Sequence, residues 1–225
     1  MDYNTFLEGL SGYCELYEKG LKKQANKHIA EFVEKFSNTV SEEVQKKIIF
    51  KFLKEFCDGN NNSFKKRLDG SLPYFLHMYV LDYLEKECEK EDKMPQLRWC
   101  YEFGGEANFS MLERAYASPE CDKKTVEFML LHYTNIFFWG AHHFPESSCI
   151  EKEVYNDTIE KCQKIISEKE VVKELKEEVE YYQKLYSCYY RFEEDSRKKP
   201  FGKYCKEAGI EFEAWDTYYY NYTQG

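Results

Sequence analysis

Apolar residues recur every three or four positions along almost the whole chain, and this spacing constrains its fold more than any other feature. Near the start, Phe6, Leu10, Tyr13 and Tyr17 are separated by 4, 3 and 4 positions, which places them on one face of a helix. Gly and Pro, the residues that most often interrupt helices, number only 11 and 5 among 225 residues. No stretch of useful length alternates apolar and polar residues as a strand would. The pattern therefore predicts an all-α protein.

The last third of the chain is the most regular part. Its apolar positions between residues 172 and 189 are spaced by 3, 4, 3, 4 and 3. They are Val172, Leu175, Val179, Tyr182, Tyr186 and Tyr189. This spacing is typical of a seam in an antiparallel bundle, here with tyrosine replacing leucine in the second half. The apolar face of the preceding helix is out of phase with this seam near Ser167–Glu170, so we expect a break or a kink there.

Capping residues indicate where several other helices begin. Ser41 and Asp122 each precede an apolar-periodic stretch, and we expect both to be N-caps. Pro73 marks a further helix start, after which either Phe75 or Leu76 faces the core. These signals predict many helices of moderate length joined by short connections.

We predict one all-α domain over residues 1–225, built as an array of antiparallel helical hairpins that is partly repeat-like. Within it we distinguish three sub-units: N-terminal helices in residues 1–94, a hairpin-like middle in residues 95–150, and long C-terminal helices in residues 151–225. A chain of this length is long enough to form one substantial core.

One stretch combines an aromatic residue, Trp99, with Leu112, Ala115 and Pro119 farther along the chain. It resembles a tetratricopeptide-type helical hairpin, in which an aromatic on the first helix meets a small residue on the second and a proline precedes the next hairpin. Pro119 arrives one residue early, and Asn108 stands where a small residue is expected. The resemblance spans roughly 40 residues and implies a degenerate helical-repeat protein that binds partners without chemistry of its own. The alternative is two ordinary packed short helices.

Charge and cysteine content narrow the functional classes. The net charge of −9 argues against a nucleic-acid-binding protein, because such a protein needs a basic surface to neutralise phosphates. The nine cysteines include no Cys-x-x-Cys pair, so neither a disulfide framework nor a zinc ribbon is indicated. The chain shows no secretory leader and no apolar run that approaches ~18 residues. We therefore expect a cytoplasmic protein that binds neither nucleic acid nor membrane.

One loop, Ala141–Cys149, gathers side chains able to bind a metal, and we call it the His142 loop. Its candidate ligands are His142, His143, Glu146 and Cys149. Such residues are competent zinc ligands, and Cys beside His can form a nucleophile pair. Their order matches no spacing with a defined mechanism. The alternative is a structural loop in which His142 or His143 binds the last carbonyls of the preceding helix.

Motifs that would identify an enzyme are missing from the sequence. It contains no glycine-rich phosphate loop, no nucleophile elbow and no dinucleotide-binding fingerprint. The Glu-x-x-His pairs of a di-iron helical bundle are missing too. We predict no cofactor and assign no catalytic residue.

The C terminus is rich in aromatic residues. Phe212, Trp215, Tyr219 and Tyr222 are spaced by 3, 4 and 3 positions, so on a helix they form one stripe. Burying that stripe contributes several kcal/mol at ~25 cal/mol per Å² of apolar area. We expect it to dock against the rest of the chain. The alternative is an exposed ligand for a partner.

Four residues of this region that lie outside the stripe are our candidate partner-binding residues. They are Glu211, Glu213, Asp216 and Tyr220. Carboxylates beside an aromatic ring suit a basic protein surface.

These observations together predict a non-enzymatic protein, monomer or homodimer, that binds a basic protein through an acidic, aromatic-rich helical surface. A concrete version is a bacterial immunity or antitoxin-type inhibitor that covers the active site of a basic nuclease toxin. Two alternatives stay open: a metal-binding or hydrolytic enzyme that uses the His142 loop, and a helical-repeat adaptor that binds a peptide.

Overall fold

The computed structural model describes residues 1–59 and 63–212 and confirms the all-α prediction. These residues form eleven α-helices and one short 3₁₀ helix, Gly105–Asn108, and they contain no strand. The α-helices are α1 (Tyr3–Glu18), α2 (Lys22–Thr39), α3 (Glu42–Asp58), α4 (Ser63–Arg67), α5 (Tyr74–Lys90), α6 (Gln96–Gly104), α7 (Phe109–Ala117), α8 (Lys123–Gly140), α9 (Lys152–Glu168), α10 (Lys173–Glu194) and α11 (Phe201–Glu207). Several neighbours in sequence, among them α1 with α2 and α6 with α7, pack as hairpin-like pairs.

The chain falls into two compact units, Met1–Ser118 and Pro119–Gly225, which we call the N-terminal unit and the C-terminal unit. The boundary follows α7 and lies inside the middle sub-unit that we predict for residues 95–150. The single domain over residues 1–225 stays a prediction.

Phenylalanine dominates the core of the N-terminal unit. The fully buried ring of Phe6 on α1 lies 5.6 Å from Phe32, 5.2 Å from Phe36 and 5.4 Å from Phe52, measured between ring centroids. Helices α1 and α2 approach closely at Gly9, where an added Cβ would lie 2.2 Å from the Phe32 ring. His28 Nε2 lies 2.9 Å from the Gly9 carbonyl oxygen, which accepts its hydrogen bond.

The same unit contains a buried arginine. Arg98 on α6 is only 2% exposed, and its guanidinium lies 2.8 Å from Asp58 Oδ1 and 3.2 Å from Glu102 Oε2. Trp99 Nε1 donates to the other carboxylate oxygen of Asp58 at 3.2 Å. Because Asp58 is the last residue of α3, these bonds join the end of α3 to α6.

The C-terminal unit is a bundle of α8, α9 and α10, with α11 packed on α10. The Phe137 ring near the end of α8 lies 5.7 Å from Tyr155 near the start of α9. Farther from this connection, Lys161 Nζ of α9 lies 6.0 Å from the centroid of the Tyr133 ring of α8, so the two helices are antiparallel. Tyr155 in turn stacks on Tyr186 of α10, with centroids 4.5 Å apart and an interplanar angle of 15°. The predicted tyrosine seam of α10 is therefore in the core.

Two tyrosine hydroxyls in this core form hydrogen bonds with backbone groups. Tyr186 Oη donates to the Phe137 carbonyl at 3.0 Å, and the Ser148 backbone N–H donates to Tyr189 Oη at 3.1 Å. The first bond depends on Gly140, because an added Cβ there would lie 2.2 Å from Tyr186 Oη. Backbone groups thus supply hydrogen bonds to two tyrosine hydroxyls, and a glycine leaves space for one of them, which offsets the cost of burying polar atoms.

Several local predictions are confirmed. Asp122 caps α8, and its Oδ1 accepts from the Thr125 backbone N–H at 2.8 Å. Ser41 occupies the N-cap position of α3, but its side chain makes no capping hydrogen bond. The expected break lies between α9, which ends at Glu168, and α10, which begins at Lys173.

The segment that resembles a tetratricopeptide-type hairpin forms α6 and α7, with Trp99, Leu112 and Ala115 fully buried. The repeat relationship itself stays a prediction. Among the described residues, no helix is both long enough and apolar enough to cross a membrane.

Candidate functional site

The His142 loop is a compact turn held by its own backbone. Phe144 N–H donates to the Ala141 carbonyl at 3.0 Å, and Cys149 N–H donates to the Gly140 carbonyl at 2.8 Å. The Phe144 ring is fully buried and stacks on Tyr189, with centroids 4.1 Å apart. This ring anchors the loop to the bundle.

The predicted metal ligands share the loop without forming a metal centre. The His142 and His143 rings lie 5.0 Å apart, while His143, Glu146 and Cys149 are exposed. Across residues 1–59 and 63–212, no three His, Cys, Asp or Glu side chains are grouped so that they can hold a metal ion. The metal-binding or hydrolytic alternative stays a prediction.

The carbonyls that end α8 accept hydrogen bonds from backbone N–H groups. Ala141 N–H donates to Phe137 at 2.9 Å, and His142 N–H donates to Trp139 at 3.2 Å. Trp139 is 56% exposed, and its ring lies 5.7 Å from that of His142. The helical spacing of the sequence does not indicate an indole this open to solvent at the end of α8, where Phe137 and Gly140 are buried.

Of the four candidate partner-binding residues, only Glu211 belongs to the described part of the chain. Its side chain is exposed, and its carbonyl oxygen lies 3.5 Å from Tyr181 Oη on α10. Glu213, Asp216 and Tyr220 lie outside the described residues. The same is true of Trp215, Tyr219 and Tyr222 in the predicted stripe, whereas Phe212 is described.

An exposed apolar surface lies on the first turns of α5, and we call it the α5 patch. It consists of Tyr74, Phe75 and Met78, whose exposed fractions are 70%, 45% and 46%. The Tyr74 and Phe75 rings lie 5.5 Å apart, and Met78 follows them by four and three positions on the same helix, so the three side chains form one surface. Leu76 is the residue that faces the core here, which resolves the choice between Phe75 and Leu76.

A groove of about 460 Å³ runs along the outer side of α10, and we call it the α10 groove. Its lining residues are Glu180, Gln183, Lys184, Ser187, Cys188, Arg191 and Ala208. Burial raises the pKa of the Cys188 thiol, so its sulfur is an uncharged part of the floor at neutral pH. The volume lies within the range of small-ligand and peptide sites.

A second, smaller groove of about 190 Å³ lies between α3 and α5. Its charges compensate one another, since Lys46 Nζ lies 3.1 Å from both Glu42 and Glu87. Burial raises the pKa of Tyr79 and of Tyr83 to about 12, which leaves both rings neutral at physiological pH. This groove therefore offers no excess charge to a ligand.

The α5 patch, the α10 groove and the His142 loop are thus the surfaces that carry recognisable chemistry in the described residues. Compared with known proteins, the chain matches no protein-family model, no curated protein and no solved structure.

Proposed function

We propose that this chain is a non-enzymatic protein that binds a basic protein partner through the α5 patch. The observation that carries the proposal is the joint exposure of Tyr74, Phe75 and Met78 on one helix surface. Aromatic residues and methionine are enriched where protein surfaces meet, because they bury a large area and have few or adaptable torsions. An exposed group of three is therefore a suitable anchor.

The area of the patch is sufficient to matter energetically. The exposed parts of the three side chains amount to roughly 300 Å², which corresponds to about 7 kcal/mol of gross burial. Association and side-chain ordering consume part of that energy. The patch can therefore act as the centre of an interface, with polar residues around it forming the rim.

The charge of the chain supports a basic partner. The net charge is −9, and the C-terminal unit contributes most of it, with 21 acidic against 15 basic side chains from residue 119 onward. A field of this sign raises the rate of encounter with a positively charged protein and weakens with added salt. Orientation is then set by the apolar anchor.

The concrete version that we propose is a bacterial immunity or antitoxin-type inhibitor that binds a basic nuclease toxin in the cytoplasm. Acidic charge and exposed aromatic side chains support it, because a nuclease presents basic groups that would otherwise contact phosphate. An inhibitor of this kind needs complementary charge and a few buried anchors, and it needs no reaction of its own.

The test is calorimetric titration with purified basic nuclease toxins, beginning with any basic protein encoded beside this gene. We expect saturable binding that weakens between low and moderate salt. The triple variant Tyr74→Ala/Phe75→Ala/Met78→Ala should bind about 100-fold more weakly, since central aromatic anchors dominate interface energies.

The matched control is Tyr17→Ala, which removes an aromatic side chain 44% exposed on α1. This variant should bind like the wild type, and all variants should keep the helical circular dichroism of the parent. If no basic toxin gives saturable heat in moderate salt, the function is wrong. If binding occurs and the triple variant retains it, the α5 patch is not the contact surface.

A further inference from the structure

Two buried thiols meet where α5 packs on α6. Cys88 lies in the last turn of α5 and Cys100 lies in the middle of α6, and both side chains are fully buried. The thiol of Cys100 donates a hydrogen bond to the sulfur of Cys88. No Cys-x-x-Cys spacing brings them together, so their contact follows from the packing of the two helices. Two thiols in contact are the arrangement from which a disulfide forms.

Polar groups from the following elements hold the backbone at both cysteines. Arg114 Nη2 on α7 donates to the Cys88 carbonyl oxygen at 2.6 Å, and Arg114 Nε donates to Asp92 Oδ1 at 3.0 Å. Asn108 Nδ2 donates to the Cys100 carbonyl oxygen at 3.4 Å. The thiol pair is therefore fixed in position and lies beside a guanidinium group.

The two thiols differ in acidity. The hydrogen bond from Cys100 lowers the pKa of the Cys88 thiol below its ordinary value, against the effect of burial, and Arg114 acts in the same direction as the hydrogen bond. The carboxylates of Glu87 and Asp92 oppose this effect. The same hydrogen bond, together with burial, raises the pKa of Cys100. Cys88 is therefore the thiol that ionises first, while Cys100 keeps its proton.

A second hydrogen-bonded thiol pair, Cys188 of α10 and Cys205 of α11, has no such difference. Burial raises the pKa of Cys188, and it raises the pKa of Cys205 to about 12. Neither thiol ionises readily at neutral pH, so we assign no reactive site to this pair.

We propose that Cys88 and Cys100 form a dithiol site that a peroxide converts reversibly into a disulfide between α5 and α6. Disulfides in a reducing compartment are usually transient and redox-sensing, which suits a thiol pair of this kind. Because both thiols are buried, the reaction follows local separation of α5 and α6. The inference does not depend on the α5 patch or on a protein partner.

The oxidant is hydrogen peroxide or an organic hydroperoxide. The Cys88 thiolate attacks one peroxide oxygen, the O–O bond breaks, hydroxide leaves, and Cys88 becomes a sulfenic acid. Cys100 then gives up its proton, and its sulfur displaces hydroxide from the Cys88 sulfur to form the S–S bond. In total the two thiols lose two electrons and two protons, and hydrogen peroxide is reduced to two molecules of water. An excess of a thiol reductant reverses the reaction.

The test treats the reduced, full-length chain with hydrogen peroxide. The remaining thiols are then blocked with N-ethylmaleimide in denaturant, and the peptides are mapped by mass spectrometry without reduction. We expect a disulfide between Cys88 and Cys100 that dithiothreitol removes, and oxidation of the exposed Cys149 shows that the peroxide was active. If Cys149 is oxidised and no disulfide joins Cys88 to Cys100, the proposal is wrong.

Single substitutions assign the two roles. Cys100→Ala removes the thiol that closes the disulfide, so dimedone should trap a sulfenic acid at Cys88. Cys88→Ala should give no dimedone adduct at Cys100. The control Cys162→Ala removes another buried thiol and should leave the yield of the disulfide unchanged.

The outcomes of these substitutions separate the roles from folding defects. Each variant should keep the helical circular dichroism of the parent, and the disulfide mapping of the wild type does not depend on any variant. Trapping at Cys100 and not at Cys88 would overturn the assignment of the attacking thiol. Loss of the disulfide in Cys162→Ala would show that contact between Cys88 and Cys100 is not sufficient.

Discussion

The two units bury aromatic residues in different ways. In the N-terminal unit the central rings of Phe6, Phe36 and Phe52 carry no polar atom, and Arg98 is the buried charged side chain among its described residues. In the C-terminal unit the central rings include Tyr182, Tyr186 and Tyr189, so polar atoms are distributed along the core. The phenylalanine core thus contains one paired charged cluster, whereas each tyrosine of the other core adds a hydroxyl whose burial is costly unless it is hydrogen-bonded.

Close approach at a glycine is a feature that the two units have in common. Gly9 in the N-terminal unit lets the Phe32 ring approach α1, and Gly140 in the C-terminal unit lets the Tyr186 hydroxyl approach α8. In each case a side chain also donates to a backbone carbonyl of the glycine's own helix, His28 to Gly9 and Tyr186 to Phe137. Both units therefore combine a glycine contact with a side-chain hydrogen bond to a backbone carbonyl, although their core compositions differ.

We expect the largest loss of stability from a substitution that disrupts the buried charged cluster of the N-terminal unit. Arg98→Ala leaves a cavity and removes the cation that pairs with Asp58 and Glu102 inside the protein. We expect the free energy of unfolding to fall by about 3–5 kcal/mol in urea titrations. Arg114→Ala, at a more exposed pair with Asp92, should lower it by about 1 kcal/mol or less. Equal losses would show that burial of Arg98 does not matter.

The next effect tests the glycine contact in the C-terminal unit. Gly140→Ala places a methyl group against Tyr186 Oη, and we expect it to lower the free energy of unfolding by about 1–3 kcal/mol. Tyr186→Phe alone removes the hydrogen bond to Phe137 and should lower it by about 1 kcal/mol. The double variant should lose less than the sum of the two, because Phe leaves room for the methyl group. Additive losses in this double-mutant cycle would mean that the contact is not the cause.

The third prediction concerns the pH dependence of the unfolding free energy, to which buried tyrosines contribute and buried phenylalanines do not. Burial raises the pKa of Tyr182 to about 12, above the value near 10 expected in the unfolded chain. The neutral phenol therefore stabilises the fold fully below pH 10, and this contribution is lost as pH rises from 10 towards 12. Tyr182→Phe should reduce the pH dependence of the unfolding free energy by up to about 1.4 kcal/mol per pH unit in that window. Urea titrations at pH 9, 10 and 11 measure it, and an unchanged slope would contradict the burial of this ring.

The smallest effect compares two helix caps. Asp122→Ala removes the hydrogen bond to the Thr125 backbone N–H at the start of α8, and we expect a loss of about 1 kcal/mol. Ser41→Ala at the start of α3 removes a side chain that makes no capping bond, so its effect should be within experimental error. Thermal unfolding of the two variants side by side is sufficient. A larger loss for Ser41→Ala would reverse this assignment.

Much of the fold was predictable because its signals are local. The spacing of Tyr182, Tyr186 and Tyr189, the cap at Asp122 and the break after α9 depend only on helical periodicity and on nearby side chains. Periodicity alone was less reliable at helix ends. Tyr17 and Val44 continue their apolar faces in sequence, yet they are 44% and 38% exposed in the structure.

The candidate sites were less predictable because they depend on packing between distant residues. From the sequence an arginine is expected at the surface, whereas in the structure Arg98 is buried with Asp58 of α3 and Glu102 as its partners. The α10 groove exists because the turn after α11 brings Ala208 beside α10, which no local pattern indicates. Tyr74 and Phe75 follow a helix-start signal as core residues would, and their exposure results from the direction in which Leu76 packs.

The nine cysteines can report on local opening of the chain, because a thiol is labelled only when it becomes accessible. Cys149 is exposed, so we expect an alkylating reagent to label it without any opening of the fold, and its rate serves as the internal reference. Four cysteines are buried in the N-terminal unit and three in the C-terminal unit. They are Cys14, Cys57, Cys88, Cys100, Cys162, Cys188 and Cys205.

A buried thiol is alkylated only when the helices around it separate, so each labelling rate reports the free energy of one opening event. Peptide mass spectrometry reads all seven rates from a single unmodified sample. If the rates fall into two groups that follow the chain division, the two units open as separate cooperative blocks. One common rate would mean that they open together.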